Sequence, residues 1–149
     1  MSKKRNIKPD LLLLPEWKEK AVGLFPDLRS KIEEVDFSPY ALFLDLLRLC
    51  GRAHAGHADW QLKKIYDLAE WCFHQEDFDV SNAVCVMFYE HLVDDGHTRA
   101  EIPLWISPDI FPVVYGLSEW HTSPEILEEV KARYIEQHPE AEALLTEES

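Results

Sequence analysis

The spacing of apolar and polar residues along the chain predicts helices throughout. The clearest pattern follows Ser38, where apolar side chains fill almost every position and only Asp45, Arg48 and Arg52 form a polar stripe, spaced i, i+3 and i+7. A helix that is apolar on nearly every side is typical of the centre of a bundle. We therefore expect residues 38–53 to form a central helix.

Ser-Pro pairs predict where several helices begin. A serine side chain caps the first turn, and proline fits the first helical position because its missing N–H would have no partner there. Such pairs begin at Ser38, Ser107 and Ser123, and they predict helices that run to about residues 53, 120 and 137. Pro112 lies near the end of the first turn of the second of these helices, and it predicts a kink or an early break.

Two further segments have helical character. Between residues 58 and 74, apolar side chains recur at helical spacing on one face. The apolar stretch Ala83–Tyr89 fits a strand as well as a helix. Because Asp79 or Ser81 can cap a helix just before it, a helix over residues 81–95 is favoured.

These elements predict a single domain over residues 1–149, with the fold of an irregular all-α bundle of about six helices. Short helices over residues 16–24 and 26–35 precede the central one. The basic residues 1–8 are expected to fray, and the acidic residues 139–149 are expected to form a loose tail.

The charge of the chain narrows the class of partner. The formal net charge is −13, and residues 36–149 carry seven Lys or Arg against twenty-two Asp or Glu. Proteins bind nucleic acid by neutralising phosphates with Lys and Arg, so no nucleic-acid partner is expected. No apolar stretch approaches the roughly 20 residues that cross a bilayer, so no membrane association is expected either.

The three cysteines predict a reducing compartment. Cys50, Cys72 and Cys85 each lie in an apolar segment, and none belongs to a Cys-x-x-Cys pair. Cytosolic proteins use cysteine in this way, as a small buried hydrophobic residue. We expect three buried, unpaired thiols in a cytoplasmic protein.

No motif along the chain indicates an enzyme or a cofactor. The five glycines are too widely spaced for a phosphate-binding loop, so no cofactor is expected. The strongest alternative is a metal site built from His54, His57 and Asp59, because imidazoles at i and i+3 lie on one face of a helix. Gly51 and Gly56 instead predict that the helix ends within this motif, which favours a solvated turn with little effect on stability.

Glu90 and His91 form a second candidate. Within an apolar helix, at least one of these two side chains is expected to point inward. A partly buried His–carboxylate pair can act as a general base. A hydrogen-bonded structural pair is the favoured interpretation, because buried polar groups need partners wherever they lie.

Tryptophans and acidic residues predict a surface that binds another protein. Trp60 and Trp71 fall on one helical stripe opposite the face expected in the core, and Trp105 lies in a segment between two prolines. Aromatic residues ringed by charge are typical of binding hot spots, and burial in the bundle is the alternative for such large side chains. The candidate partner-binding residues are Trp60, Trp71, Asp94, Asp95, Glu101, Trp105, Asp109, Glu119 and Trp120.

Two segments carry a family resemblance. The run Val-Met-Phe-Tyr-Glu-His-Leu-Val-Asp-Asp from Val86 to Asp95, followed by Ile-Pro-Leu-Trp-Ile-Ser-Pro-Asp-Ile-Phe from Ile102 to Phe111, resembles a family of small, acidic, uncharacterised bacterial helical proteins. The resemblance covers residues 80–120. It implies a protein-binding role such as that of the immunity proteins of polymorphic toxin systems, and it assigns no functional residues.

The leading hypothesis is a non-enzymatic module that binds and inhibits a basic partner, such as a toxin, because opposite charge speeds encounter. Two alternatives stay open: a metal-dependent enzyme that uses His54 and His57, and a structural homodimer in which Trp60 and Trp71 face their symmetry mates. Stoichiometric metal in the purified protein would distinguish the enzyme from the binding module.

Overall fold

A computed structural model describes the backbone of residues 14–148 and the side chains of residues 14–145, so the basic N-terminus predicted over residues 1–8 lies outside the described residues. Across the described range the chain is helical, without strands, which confirms the predicted all-α class. The predicted number of about six helices is wrong, because this range contains ten α-helices and two 3₁₀ segments, Pro26–Leu28 and Tyr89–Asp94. In chain order the α-helices are α1 (Glu16–Leu24), α2 (Arg29–Ile32), α3 (Pro39–Ala55), α4 (Asp59–Phe73), α5 (Phe78–Met87), α6 (Gly96–Ala100), α7 (Ile102–Trp105), α8 (Phe111–Ser118), α9 (Pro124–Gln137) and α10 (Ala141–Glu148).

Two of the three Ser-Pro pairs begin helices as predicted. The Ser38 hydroxyl accepts a hydrogen bond from the backbone N–H of Ala41 at 3.1 Å, and the Ser123 hydroxyl accepts one from the N–H of Ile126 at 3.2 Å. In both pairs the proline occupies the first helical position, where its ring removes no hydrogen bond. The helices α3 and α9 therefore begin where the sequence predicts.

The third pair precedes a turn. The Ser107 hydroxyl donates to the Asp109 carboxylate at 2.6 Å, and α8 begins only at Phe111. Pro112 lies in the first turn of α8, where a proline is tolerated because its missing N–H would have no intrahelical partner. The predicted helix from Ser107 is therefore shorter than expected, and Pro112 marks its start and not a kink.

The helix predicted over residues 81–95 is divided. Its first part, α5, begins earlier because the Asp77 carboxylate caps it by accepting a hydrogen bond from the N–H of Asp79 at 2.9 Å. Phe88 then leaves the helical conformation, with φ −123° and ψ −67°. Glu90 and its neighbours consequently lie on the 3₁₀ segment Tyr89–Asp94 and not on an α-helix.

The core is centred on α3, as the apolar pattern predicts. Leu42, Phe43 and Leu46 are fully buried, and α3 packs against α4, α5 and α6. Aromatic contacts extend this core, since the ring centroids of Phe43 and Phe88 lie 5.9 Å apart. No helix between residues 14 and 148 is long and apolar enough to span a membrane.

The C-terminal segment contains a helix where a loose tail was expected over residues 139–149. Ala141 and Leu145 of α10 are buried, and α10 packs against α8 and α9. These two residues are four positions apart, so they share one face of the helix, while Glu142 is exposed. The prediction is wrong because the acidic residues of this segment mark the solvated face of a docked helix.

The three cysteines are free, and two of them are fully buried. Cys50 and Cys72 lie in the core, whereas Cys85 is half-buried. Burial raises the pKa of the Cys50 and Cys72 thiols to about 12, and it also raises the pKa of Cys85. The prediction of burial is therefore confirmed for two of the three thiols.

We predict that Cys85 is the first thiol to be alkylated in the folded protein. Only the thiolate reacts, and a pKa of about 12 leaves roughly one buried thiol in ten thousand ionised at about pH 8. Cys50 and Cys72 should react only after unfolding. Peptide mass spectrometry after timed exposure to iodoacetamide measures the order, and rapid alkylation of Cys50 would contradict the packing around α3.

The docking of α10 is tested by two adjacent leucines. We predict that Leu145→Ala lowers the free energy of unfolding by about 2 kcal/mol or more, because it leaves a cavity in the core. Leu144→Ala should lower it by less than about 1 kcal/mol, since Leu144 is exposed. Urea denaturation followed by circular dichroism gives both values, and equal small effects would indicate that the segment does not dock.

Candidate functional site

His54 lies in the core and not in a surface turn. The helix α3 continues through His54 to Ala55, and the imidazole is 1% exposed. Its Nδ1 lies 2.7 Å from Oε1 of Glu101, and its Nε2 lies 2.8 Å from the hydroxyl oxygen of Tyr66. The predicted turn is wrong because a glycine such as Gly51 costs a helix only about 1 kcal/mol relative to alanine, less than the packing of α3 contributes.

The hydrogen bonds around His54 form a chain from the core to the surface. The Cys50 thiol donates to the Tyr66 hydroxyl oxygen at 3.4 Å. The Tyr66 hydroxyl can then donate to Nε2 of His54, and the Nδ1–H of His54 can donate to the Glu101 carboxylate. Burial raises the pKa of Tyr66 well above its usual value, so the hydroxyl keeps its proton. This arrangement gives each of the four polar groups a partner, as burial requires.

Trp105 packs against this chain. Its ring stacks on the Tyr66 ring, with centroids 5.6 Å apart and an angle of 13° between the planes. Its Nε1 is buried without a hydrogen-bond partner in the part of the chain that the structure describes. Trp105 ends α7 and is half-buried, so it is less accessible to a partner than a fully exposed tryptophan.

His57 and Asp59 do not complete a metal site with His54. Both ring nitrogens of His54 are hydrogen-bonded to protein groups, which leaves no ring nitrogen free to bind a metal. The His57 side chain is 78% exposed, with Nδ1 3.9 Å from the Glu101 carboxylate, and Asp59 is exposed at the start of α4. Three metal-ligating side chains within residues 14–145 do converge, but they lie in another part of the structure.

His57 has a backbone role instead. Its φ of 56° lies in the left-handed region, and it directly follows Gly56, the C-cap residue of α3. The reversal lets the N–H of Ala58 reach the carbonyl of Ala53 at 2.9 Å, which satisfies a carbonyl group at the helix end. The His57 side chain projects beside an open depression of about 600 Å³ between the end of α3 and α6.

Several predicted partner-binding residues hold the fold together. The Asp95 carboxylate caps α6 by accepting hydrogen bonds from the N–H and the hydroxyl of Thr98, at 2.9 and 3.0 Å. Burial raises the pKa of Asp95, but the bonds from Thr98 outweigh it, and the pKa is lowered overall. Glu101 is bonded to His54, and Trp71 is half-buried with the Lys20 ammonium 5.1 Å from its ring centroid.

Two tryptophans are exposed, in different electrostatic surroundings. Trp60, in the first turn of α4, is 67% exposed, and the Lys64 ammonium lies 5.3 Å from its ring centroid. Trp120, in the turn after α8, is 83% exposed and follows the exposed Glu119. Asp109 is exposed as well, in the turn before α8.

Glu90 and His91 bond to different residues and do not form the predicted pair. Glu90 accepts a hydrogen bond from Nε2 of His121, in the turn after α8, and Nδ1 of His91 lies 3.0 Å from the Asp94 carboxylate. The rings of His91 and His121 meet edge to face, with centroids 4.6 Å apart. His121 was not among the predicted site residues, because it is 31 residues from Glu90 and no periodic pattern connects them.

The contacts of His121 bring three of the predicted partner-binding residues together. They join the 3₁₀ segment Tyr89–Asp94 to the turn after α8, and the residues on the two sides form what we call the Trp120 surface. Its members are Glu90, His91, Asp94, Glu119, Trp120 and His121. The surface therefore presents three carboxylates, two imidazoles and one indole.

The role of His54 is tested by comparing it with His57. We predict that His54→Ala lowers the free energy of unfolding by about 2–3 kcal/mol, because it leaves Tyr66 and Glu101 without their partner. His57→Ala should change it by less than about 0.5 kcal/mol, since that side chain is exposed. Thermal and urea unfolding measure both, and a His54→Ala protein as stable as His57→Ala would show that the buried chain is not formed.

Comparison with known proteins gives one match. No curated protein and no solved structure is similar to this chain. Residues 18–121 match a family described as a domain of unknown function, DUF7674, and this range runs from α1 through the turn that carries His121. Since the match covers most of the sequence, including the buried His54 chain and the Trp120 surface, the chain belongs to the DUF7674 family.

Proposed function

We propose that this protein is a non-enzymatic module that binds a basic protein partner through the Trp120 surface. The observation that carries the proposal is Trp120 itself, whose large side chain is 83% exposed and directly follows the exposed Glu119. Binding energy in protein interfaces concentrates at such aromatic residues. The proposal requires no catalytic group and no cofactor.

Trp120 has the properties of an interface anchor. Tryptophan combines a large apolar area with only two side-chain torsions, so burying it in a partner's pocket costs little conformational entropy. The contacts of the adjacent His121 with Glu90 and His91 hold the turn that presents Trp120. A side chain presented by a held turn loses less freedom on binding.

The charge of the surface favours a basic partner. Asp94 and Glu119 are exposed on either side of the His121 contacts, and the chain as a whole has a formal net charge of −13. Opposite charge raises the rate of encounter and orients the two proteins.

Trp60 is less suited to a basic partner. The Lys64 ammonium lies near its ring and repels the cationic side chains of a basic partner. The homodimer alternative depends on Trp60 together with Trp71, and Trp71 is half-buried near Lys20. Trp60 is therefore a control for Trp120, because it is the same exposed side chain with an ammonium group close to its ring.

An inhibitory role of the immunity type is the specific form of the proposal. It is supported by the sequence resemblance over residues 80–120, which include most of the Trp120 surface. It is also supported by the net charge, because toxins that act on nucleic acid carry basic clefts. An acidic protein that covers such a cleft blocks it without any chemistry of its own.

The Trp120 surface is tested with a photo-crosslinking amino acid at position 119, which leaves Trp120 in place, and at position 60 as a control. Position 119 should capture the partner in cells, and position 60 should not. In a kinetic binding assay with that partner, Trp120→Ala should raise the dissociation rate at least about tenfold, because an anchor acts in the bound state. Trp60→Ala should change the rate less than about twofold.

A second measurement tests the role of charge. Glu119→Lys should slow association, and the wild-type association rate should fall steeply as salt rises to physiological concentration. An acidic partner, or an association rate that does not depend on salt, would contradict the electrostatic proposal. Crosslinking of position 60 to a second copy of this chain would favour the homodimer, and a partner that stays active in the complex would contradict inhibition.

A further inference from the structure

Three metal-ligating side chains converge where the 3₁₀ segment Tyr89–Asp94 meets the turn after α8. Glu90, His91 and His121 each offer one ligand atom, and these atoms all lie within 4.8 Å of one another. Neither the sequence pattern nor the family match assigns a role to this group. The carboxylate and the two imidazoles come from two separate segments that the fold brings together.

We propose that Glu90, His91 and His121 bind one divalent transition metal ion of the Zn²⁺ type. Two imidazoles and one carboxylate are a common ligand set for such ions, with water in the remaining position. Imidazole is a poor ligand for Mg²⁺ and Ca²⁺, which prefer oxygen. The ligand set therefore selects the chemical class of the ion.

The spacing of the three ligands suits a single ion. Zn²⁺ binds nitrogen and oxygen at about 2.0 Å, so ligands in a tetrahedral site lie about 3.3 Å apart. The Glu90 carboxylate and Nε2 of His121 are already in hydrogen-bond contact, and the ion would replace the proton between them. The three side chains are 21–30% exposed, which leaves them room to close and gives water access to the open position.

Asp94 supports the same assignment. Its carboxylate lies 3.0 Å from Nδ1 of His91. In metal sites a carboxylate commonly holds one nitrogen of an imidazole whose other nitrogen binds the metal, and it fixes the orientation of the ring. With Nε2 of His91 as the metal ligand, Asp94 is a positioning residue for His91.

Metal binding should also stabilise the fold locally. The ion would join the 3₁₀ segment to the turn after α8, and a ligand that binds only the folded state raises its stability. The metal site does not depend on the protein partner proposed above. Each of the two proposals can fail without the other.

The test uses full-length protein stripped of metal with a chelator and then titrated in a calorimeter. Wild-type protein should bind one equivalent of Zn²⁺ at free concentrations below about 100 µM and should not bind Mg²⁺ or Ca²⁺ in that range. His91→Ala and His121→Ala should each weaken Zn²⁺ binding at least about tenfold, and Glu90→Gln should do the same while keeping the shape of the side chain.

Two exposed histidines are the controls. His74 has a carboxylate, Asp109, at 4.0 Å, and His57 has Glu101 at 3.9 Å, so each is a His–carboxylate pair outside the proposed site. His74→Ala and His57→Ala should leave Zn²⁺ affinity within about twofold of wild type. Without metal, Glu90→Gln should melt cooperatively near the temperature of wild type, which shows that it folds. Zn²⁺ should then raise the melting temperature of wild type and of these controls but not that of Glu90→Gln.

Three results of these Zn²⁺ titrations would contradict the proposed site. Absence of Zn²⁺ binding by wild-type protein would overturn it. Affinity that is unchanged in both His91→Ala and His121→Ala would also overturn it. Loss of binding in His57→Ala would assign the metal to the depression beside α3 instead.

Discussion

The imidazole of His54 imposes the strongest constraint on this fold. A polar ring inside an apolar core costs free energy unless its nitrogens are hydrogen-bonded. Its two partners come from separate parts of the chain, Tyr66 from α4 and Glu101 from the junction of α6 and α7. These bonds determine where α4 and that junction lie against the central helix α3.

The short helices α6 and α7 also depend on hydrogen bonds between residues of different segments. The helices α6 and α7 have five and four residues, lengths at which an isolated helix is unstable in water. Asp95 caps α6, and the Arg99 guanidinium donates to the carbonyl of Val93 at 2.8 Å. Specific polar contacts therefore hold this region, and its helices do not have to be stable by themselves.

The structure matches the sequence-based predictions where neighbouring residues determine it. The caps at Ser38 and Ser123 and the apolar surface of α3 are local signals, and the helices begin and pack accordingly. The structure differs from the predictions where the decisive partner is distant. His54 and Glu101 are 47 residues apart, and Glu90 and His121 are 31 apart, so no periodicity within one element indicates either contact.

Exposure of tryptophan was equally hard to predict. Trp105 and Trp120 each lie two or three residues before a Ser-Pro pair, and nothing in the neighbouring sequence shows which of the two indoles is buried. The structure separates them, because Trp105 stacks on Tyr66 whereas Trp120 lies in a turn held by the adjacent His121. Only the packing of other elements decides which indole is available to a partner.

The hydrogen-bonded chain through Cys50, Tyr66, His54 and Glu101 also restricts how this sequence can diverge. Replacing one member leaves its neighbour buried without a partner, whereas replacing the whole set with apolar residues of similar shape costs little. Selection should therefore remove single substitutions in this chain of residues but tolerate a change of all its members together. Among relatives of this chain, His54, Tyr66 and Glu101 should be retained or lost as a group, so these three positions should covary even though they are far apart in sequence.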